Sequence, residues 1–378
     1  MKTDVCERLG IEFPIFAFSH CRDVVAAVSR AGGLGVLGAV AFSPEELETE
    51  LQWIDEHVDG KPYGVDTVIP AEYIGRSDGD FTQEMLEDLI PPEHRGFIAD
   101  LMKRYGVPEM PDGLDAFSGM IGWSMSGGRA HVEVALRHPI KLIANALGPP
   151  PADVIKSAHE QGVAVAALCG SVQQAVRQKE AGVDLVIASG YEAGGHTGEV
   201  GSMVLLPQVV DAVAPTPVLA AGGIGSGRQI AAAMALGAQG AWTGSIWLTT
   251  AESDCLPVLK EKMVAATSRD TIRSRCISGK PARQLKTDYT AAWEGEESPG
   301  TLPMPLQLLA TADATQRIHH YAKAEVGNAK ALVGTPVGQV VGQMNQIKPA
   351  GKVVMDLVEE YIEAVSRVSD QLAALEDE

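Results

Sequence analysis

The sequence predicts an α/β fold, a (β/α)8 TIM barrel with a helical insertion after strand 3 and a C-terminal helical extension. Three observations carry that prediction. Between about residues 12 and 265, short apolar runs alternate with helical patterns, as βαβ units on a parallel sheet require. The apolar runs number eight, enough to close a barrel. Helix caps and terminating glycines fall at the junctions between the runs.

In chain order the predicted strands are Phe13 to Phe18, Gly35 to Ala39, Tyr63 to Val68, Lys141 to Ala146, Ala164 to Leu168, Leu185 to Ala188, Pro217 to Ala221 and Gly240 to Thr243. Ser43-Pro44-Glu45-Glu46 reads as a helix start, with Ser43 as cap, Pro44 at the first helical position and Glu46 completing a capping box. Ser171 with Gln174 and Ser226 with Gln229 repeat the pattern. Gly32, Gly162, Gly182 and Gly237 each follow a helical pattern, where a left-handed residue ends a helix at least cost.

The barrel core is expected over residues 1–70 and 139–266, the helical insertion over 71–138 and the extension, packing on the barrel, over 267–378. The insertion contains an acidic amphipathic piece from Phe81 to Leu89, a Pro-Pro break at 91 and 92, and a glycine-rich turn at Ser126-Gly127-Gly128. It stands on the face where a lid would lie. In the extension, Val354, Val358, Tyr361, Val365, Val368, Leu372 and Leu375 recur at four- and three-residue intervals, a helix with one apolar seam. That seam either packs on the barrel or pairs with a second copy as a homodimer.

Composition narrows the function classes. A formal net charge of -19 repels phosphodiester backbones and anionic lipid surfaces, which argues against nucleic-acid and membrane partners. Asp4, Glu7, Arg8 and Glu12 interrupt the stretch where a signal peptide needs an apolar run, and no uncharged apolar run is long enough to span a bilayer. Cys6, Cys21, Cys169, Cys255 and Cys276 are odd in number and form no Cys-x-x-Cys pair, which suits reduced thiols in the cytoplasm and no metal site.

Two glycine motifs look alike and differ in context. Gly33-Leu34-Gly35-Val36-Leu37-Gly38 matches a dinucleotide-binding pattern, but a helix precedes it and a strand lies within it, the reverse of the order that motif needs. Tight packing explains it better. Ala221-Gly222-Gly223-Ile224-Gly225-Ser226-Gly227-Arg228 follows a strand and opens a helix, so its backbone N–H groups and the helix dipole can meet a phosphate. In barrels such a site often uses the loops after strands seven and eight, and Gly244-Ser245 offers the second half.

After the sixth strand comes Ser189-Gly190-Tyr191-Glu192-Ala193-Gly194-Gly195-His196-Thr197-Gly198. A glycine-flanked histidine at the carboxyl end of a barrel strand lies where active sites of this fold belong, and its pKa permits proton transfer near neutrality. His196 is the catalytic candidate.

The segment Gly190 to Gly198, followed by Ala220-Ala221-Gly222-Gly223-Ile224, resembles the nitronate monooxygenase family, formerly 2-nitropropane dioxygenases. Arg8 to Ile15, Ala31 to Gly35 and Ser278-Gly279-Lys280-Pro281-Ala282-Arg283 extend the resemblance over most of the chain outside residues 71–138. It implies a monooxygenase flavoprotein with FMN, dioxygen as co-substrate, and His196 as catalytic histidine. It also implies flavin contacts at Ala17, Phe18, Asp66, Ser189, Gly194, Gly195, Gly222, Gly223, Trp242, Thr243, Gly244 and Ser245; His20, which departs from the family, is either a second polar group toward substrate at the barrel mouth or an inert replacement. Three departures touch this neighbourhood: Ser189 where glutamine is common, Asp66 where asparagine is usual, and Phe18-Ser19-His20 where a Pro-Met pair usually follows alanine. An aspartate cannot donate the hydrogen bond that an asparagine amide can, so Asp66 leaves that contact open.

The implied reaction is oxidation of alkyl nitronates, or of nitroalkanes, to a carbonyl compound and nitrite. The same signature also occurs in flavin-dependent enoyl-thioester reductases, and related barrels reduce quinones with NAD(P)H. A flavin-binding protein without turnover is a further reading, because fold alone does not name the reaction.

Overall fold

The computed structural model of the protein describes residues 1–69, 83–111 and 125–376. The first half of the described chain runs α1 (Asp4–Leu9), β1 (Ile15–Ser19), α2 (Arg22–Arg30), β2 (Leu34–Gly38), α3 (Pro44–His57), β3 (Tyr63–Thr67), α4 (Gln83–Glu87), α5 (Pro92–Arg104), α6 (Met125–Ala135), β4 (Leu142–Asn145), α7 (Ala152–Glu160), β5 (Ala164–Cys169), α8 (Val172–Ala181) and β6 (Leu185–Ser189). The second half runs β7 (Gly195–His196), α9 (Ser202–Val213), β8 (Val218–Ala221), α10 (Gly227–Ala235), β9 (Gly240–Thr243), α11 (Pro257–Ala265), β10 (Thr271–Ser274), β11 (Ala282–Leu285), α12 (Asp288–Glu294), α13 (Leu306–Lys323), α14 (Ala329–Leu332) and α15 (Ala350–Glu376).

Strands β1 to β6, β8 and β9 form a closed parallel barrel, sealed where β9 returns to β1 with Ile15 opposite Ala241 and Phe16 opposite Trp242. These are the eight strands expected from the apolar runs. Alternate residues fill the interior: Phe16, Leu34, Val36, Leu142, Ala144, Ile187 and Leu219 pack with one another, while Ile15, Val65, Ile143 and Val186 face the helices. Val5, Cys6 and Leu9 of α1 join the inner cluster and plug its amino-terminal end. The opposite end is the mouth.

Gly35 shows why the Gly33–Gly38 run belongs to packing. A Cβ there would lie 2.2 Å from the carbonyl oxygen of Val25, so α2 rests directly on the β2 backbone. Gly32, Gly162, Gly182 and Gly237 all adopt positive φ, as expected of helix-ending residues. The Ser43 capping box is complete, and Ser171 accepts from the Gln174 N–H. The Gln174 side chain, however, accepts from Gly170 rather than closing a box.

Ser126-Gly127-Gly128 is not a turn but lies within α6, the helix that packs on β3 and α3. The glycine serves contact: a Cβ at Gly128 would be 2.6 Å from the Val68 carbonyl. The expected acidic piece Phe81 to Leu89 falls partly outside the described residues. Its described portion contains α4, which, like α5, packs against α13 of the extension.

The extension also builds a small antiparallel sheet in the order β10-β11-β7, pairing Ala282 with His196 and Arg283 with Gly195. The seam of α15 divides along its length. Val354 and Val358 are buried against α10 and α2, whereas Val365 and Val368 are exposed, and the side chains of Leu372 and Leu375 lie outside the described residues. The five cysteines are free thiols, and among the described residues no helix is long and apolar enough to cross a membrane.

Replacing Gly35 with alanine should push α2 off β2, because the obstructing atoms are backbone and cannot rotate away. Overpacking of this kind costs about 1–3 kcal/mol. Urea unfolding of the Gly35→Ala protein should show that loss, and an unchanged midpoint would mean that the helix and strand are not in contact as described.

Candidate active site

The upper interior layer of the barrel is made of Phe18, Gly38, Asp66, Leu168, Ser189 and Trp242. The period of two along each strand sends these residues inward above Phe16, Val36, Gly64, Ala166 and Ile187. Trp242 stacks with Phe18 and with Phe16, each at 6.3 Å between ring centroids, and lays an aromatic floor at one side. The carboxyl of Asp66 and the hydroxyl of Ser189 are both buried.

His20 stands over the end of β2. A Cβ on Gly38 would fall 2.6 Å from the His20 ring, whose Nδ1 bonds the Gly38 carbonyl at 2.9 Å. The residue is open to solvent, yet enough protein surrounds the ring for burial to lower its pKa. That combination describes a group in a deep mouth.

His196 enters from the loop after β6. Its Nε2 lies 2.6 Å from the Oγ of Ser278, a fully buried residue that also accepts the N–H of Lys280 at 3.3 Å. Burial, reinforced by the positive charge of Lys280, pushes the imidazole down to about 4. The ring is therefore neutral at neutral pH. Its loop is clamped from the extension: the guanidinium of Arg283 donates to the Tyr191 carbonyl at 3.2 and 3.1 Å and lies over the Tyr191 ring, while Arg273 donates to Thr197.

Gly194 meets Gly338 so closely that a Cβ would lie 2.7 Å from the Gly338 nitrogen. Gly338 donates in turn to Ser245 Oγ at 2.8 Å, and Gln339 donates to the Glu192 carbonyl at 2.9 Å. The segment around Gly338 thus ties the histidine loop to the loop after β9. Sequence reasoning missed Gly338 and any role for Ser278 and Lys280. The Ser278-to-Arg283 motif signalled Ser278 and Lys280 without saying what they touch, and no motif signalled Gly338.

Gly222 and Gly223 both have positive φ, and Ser202 Oγ donates to the Gly222 carbonyl at 3.0 Å. Among the described residues, the N–H groups of Gly222, Gly223, Gly244 and Ser245 donate to no protein acceptor. Side-chain-free loops with unspent donors fit a phosphate. One part of the expected arrangement is corrected. The N-terminus of α10 is taken by the Glu360 carboxylate of α15, which accepts from the Gly227 N–H at 2.9 Å, and Ser226 does not cap this helix with its side chain. Loop amides, not the α10 dipole, are what remain for an anion.

Two expected contact residues face elsewhere. The Ala17 methyl packs between barrel and helices, and the Thr243 hydroxyl donates to the Phe16 carbonyl and accepts from the Trp247 indole N–H. Behind Gly222 and Gly223 lies a cavity of ≈ 380 Å³, bordered by Glu192, Ser202, Gln229 and Gln339. The Glu192 carboxylate there is engaged by the Ser202 N–H at 3.0 Å, at the start of α9.

The unfolded chain binds a proton at an ordinary imidazole pKa of 6.5, whereas folded His196 binds one only near 4. Its contribution to stability is therefore lost as pH falls through that window. In a 15N-edited NMR titration of the protein, His196 should stay neutral down to about pH 5. Ser278→Ala should alter its tautomer populations while leaving the near-UV circular dichroism intact. Unchanged populations would mean that Ser278 does not orient the ring.

Comparison with known proteins agrees with this architecture. The nitronate monooxygenase family model matches residues 3–360. A Mycobacterium tuberculosis protein named as a monooxygenase is 54% identical over 97% of this chain and 98% of its own. The solved nitroalkane oxidase of Streptomyces ansochromogenes superimposes with a TM-score of 0.77 at 27% identity, over 96% of this chain and 99% of that one. FabK from Thermotoga maritima gives 0.72 at 29% identity, over 98% and 99%. With its closed barrel, its histidine loop and a family match across nearly its whole length, the chain belongs to the nitronate monooxygenase family of oxidoreductases.

Proposed function

We propose that this protein is an FMN-dependent enzyme that oxidises alkyl nitronates, and neutral nitroalkanes, with dioxygen to a carbonyl compound and nitrite. The observation that carries the reading is the neutral imidazole of His196, held by Ser278 at the same end of the barrel as two glycine loops with unspent N–H donors. Bound there, FMN would supply the electron acceptor and its reoxidation by dioxygen.

Gly222, Gly223, Gly244 and Ser245 would hold the single phosphate through their backbone N–H groups. Phe18 and Trp242 would give the ring system an apolar surface and help exclude water. Neutral His196 suits the role of base toward the acidic C–H of a nitroalkane. Toward a nitronate, already an anion, the ring is needed for position, and the ammonium of Lys280 supplies the local positive charge. That charge matters because a protein of net charge -19 gains nothing from long-range steering of an anion. Ser278 sets the ring plane, and Arg273 and Arg283 hold its loop. The free thiols suit the reducing cytoplasm.

Small nitronates should bleach the bound flavin anaerobically, and in air should consume dioxygen and release nitrite without NAD(P)H. An oxidised flavin in the presence of nitronates, with rapid reduction by NADH, NADPH or an acyl thioester, would overturn the assignment in favour of a reductase. His196→Ala should keep flavin and lose at least about 10²-fold in turnover. Gly223→Asp should lose the flavin, since a carboxylate would face the phosphate. With neutral nitroalkanes, kcat/KM should rise as pH increases through about 4 and flatten below neutrality, since the base must be unprotonated.

A further inference from the structure

Asp66 occupies an unusual place for a carboxyl. It lies at the end of β3, with Gly38 of β2 and Ala144 of β4 as its register neighbours. Tyr63 and Val65 of the same strand face the helices, so Asp66 faces the barrel axis, one layer above Gly64. The residue is 4% exposed, and its carboxyl makes no hydrogen bond or ion pair among the described residues. A buried polar group aimed into a site without a protein partner calls for a ligand or a change of protonation state.

Among the described residues, the surroundings supply no cation. On β2 the neighbour is Gly38, covered by the His20 ring, whose pKa burial lowers. On β4, Ala144 is apolar and Asn145 spends its carboxamide on Ile69 and Gly148. On α6, His131 bonds the Phe42 carbonyl and is lowered by burial, while Arg129 pairs with Asp153 on the surface. His196, on the loop after β6, is neutral as well. Among the described residues burial is the only influence on Asp66, and it raises the carboxyl to about 7.

We propose that Asp66 is a neutral carboxylic acid in the flavin-bound protein and donates its O–H to the flavin ring system, which makes flavin retention proton-linked. The inference rests on the reading that the mouth holds FMN. It accounts for an aspartate at this position: protonated, it donates as an asparagine amide does, and ionised, it cannot. A carboxylic acid kept neutral by an apolar site is an established way to obtain such a donor. Unlike an amide, it switches off as pH rises.

The test is FMN release from the full-length protein, followed by flavin fluorescence between pH 6 and 9, for the wild type and Asp66→Asn. The wild-type Kd should climb with pH, approaching about tenfold per unit once the free carboxyl is ionised, while the Asp66→Asn protein lacks this added slope. Titration of the phosphate and of the histidines appears equally in both proteins and cancels. A second measurement needs no variant: infrared difference spectra of flavin binding should contain a protonated-carboxyl C=O band, which Asp66→Asn would assign by its loss. Parallel pH profiles, or wild-type spectra without that band, would overturn the proposal and leave the FMN site standing. Failure of both proteins to hold FMN at any pH would overturn the site as well.

Discussion

Closure of the barrel is the constraint on which everything else depends. Once β9 pairs with β1, the sheet has no edge and its interior must be filled by its own side chains. Phe16, Leu34, Leu142, Ile187 and Leu219 fill it, and α1 seals the amino-terminal end. Only the carboxyl-terminal mouth is left for polar chemistry. His20, Asp66, Ser189 and the histidine loop all collect there for that reason, although they come from widely separated parts of the chain.

Residues after the barrel finish that mouth. The strand pair β7 and β11 joins His196 to Ala282, Ser278 takes one ring nitrogen, and the Arg283 guanidinium grips the start of the loop. Gly338 threads between Gly194 and Ser245, and Glu360 closes the N-terminus of α10. Several of these contacts engage backbone groups that would otherwise be satisfied by water. A loop held at so many points keeps its geometry, which is what preorganisation of a site requires.

Desolvation then acts in opposite directions on the two kinds of ionisable group. It drives the Asp66 carboxyl up to about 7 and the His196 imidazole down to about 4, so near neutral pH the imidazole is uncharged and the carboxyl is poised between its two states. The protein carries a large net negative charge, but the protonation states in its mouth follow from local burial and from Lys280.

The eight strands, the helix-ending glycines and the mouth position of His196 were legible in the sequence, because hydrophobic period, capping chemistry and strand order are local properties. The packing role of Gly33 to Gly38 could be inferred from element order alone, and the structure supplies the contact with Val25. The helical state of Ser126 to Gly128 could not, since glycines that usually mark a turn are here required by close approach to Val68. The engagement of the α10 N-terminus by Glu360, the Ser278 bond to His196 and the bridge through Gly338 were equally hidden. They join residues 82 to 144 positions apart, and no local pattern encodes which distant backbone groups will meet. Sequence alone determined the barrel and the residue that stands at its mouth. Tertiary structure alone decided the protonation and orientation of that residue, because both depend on burial and on partners that only folding brings together.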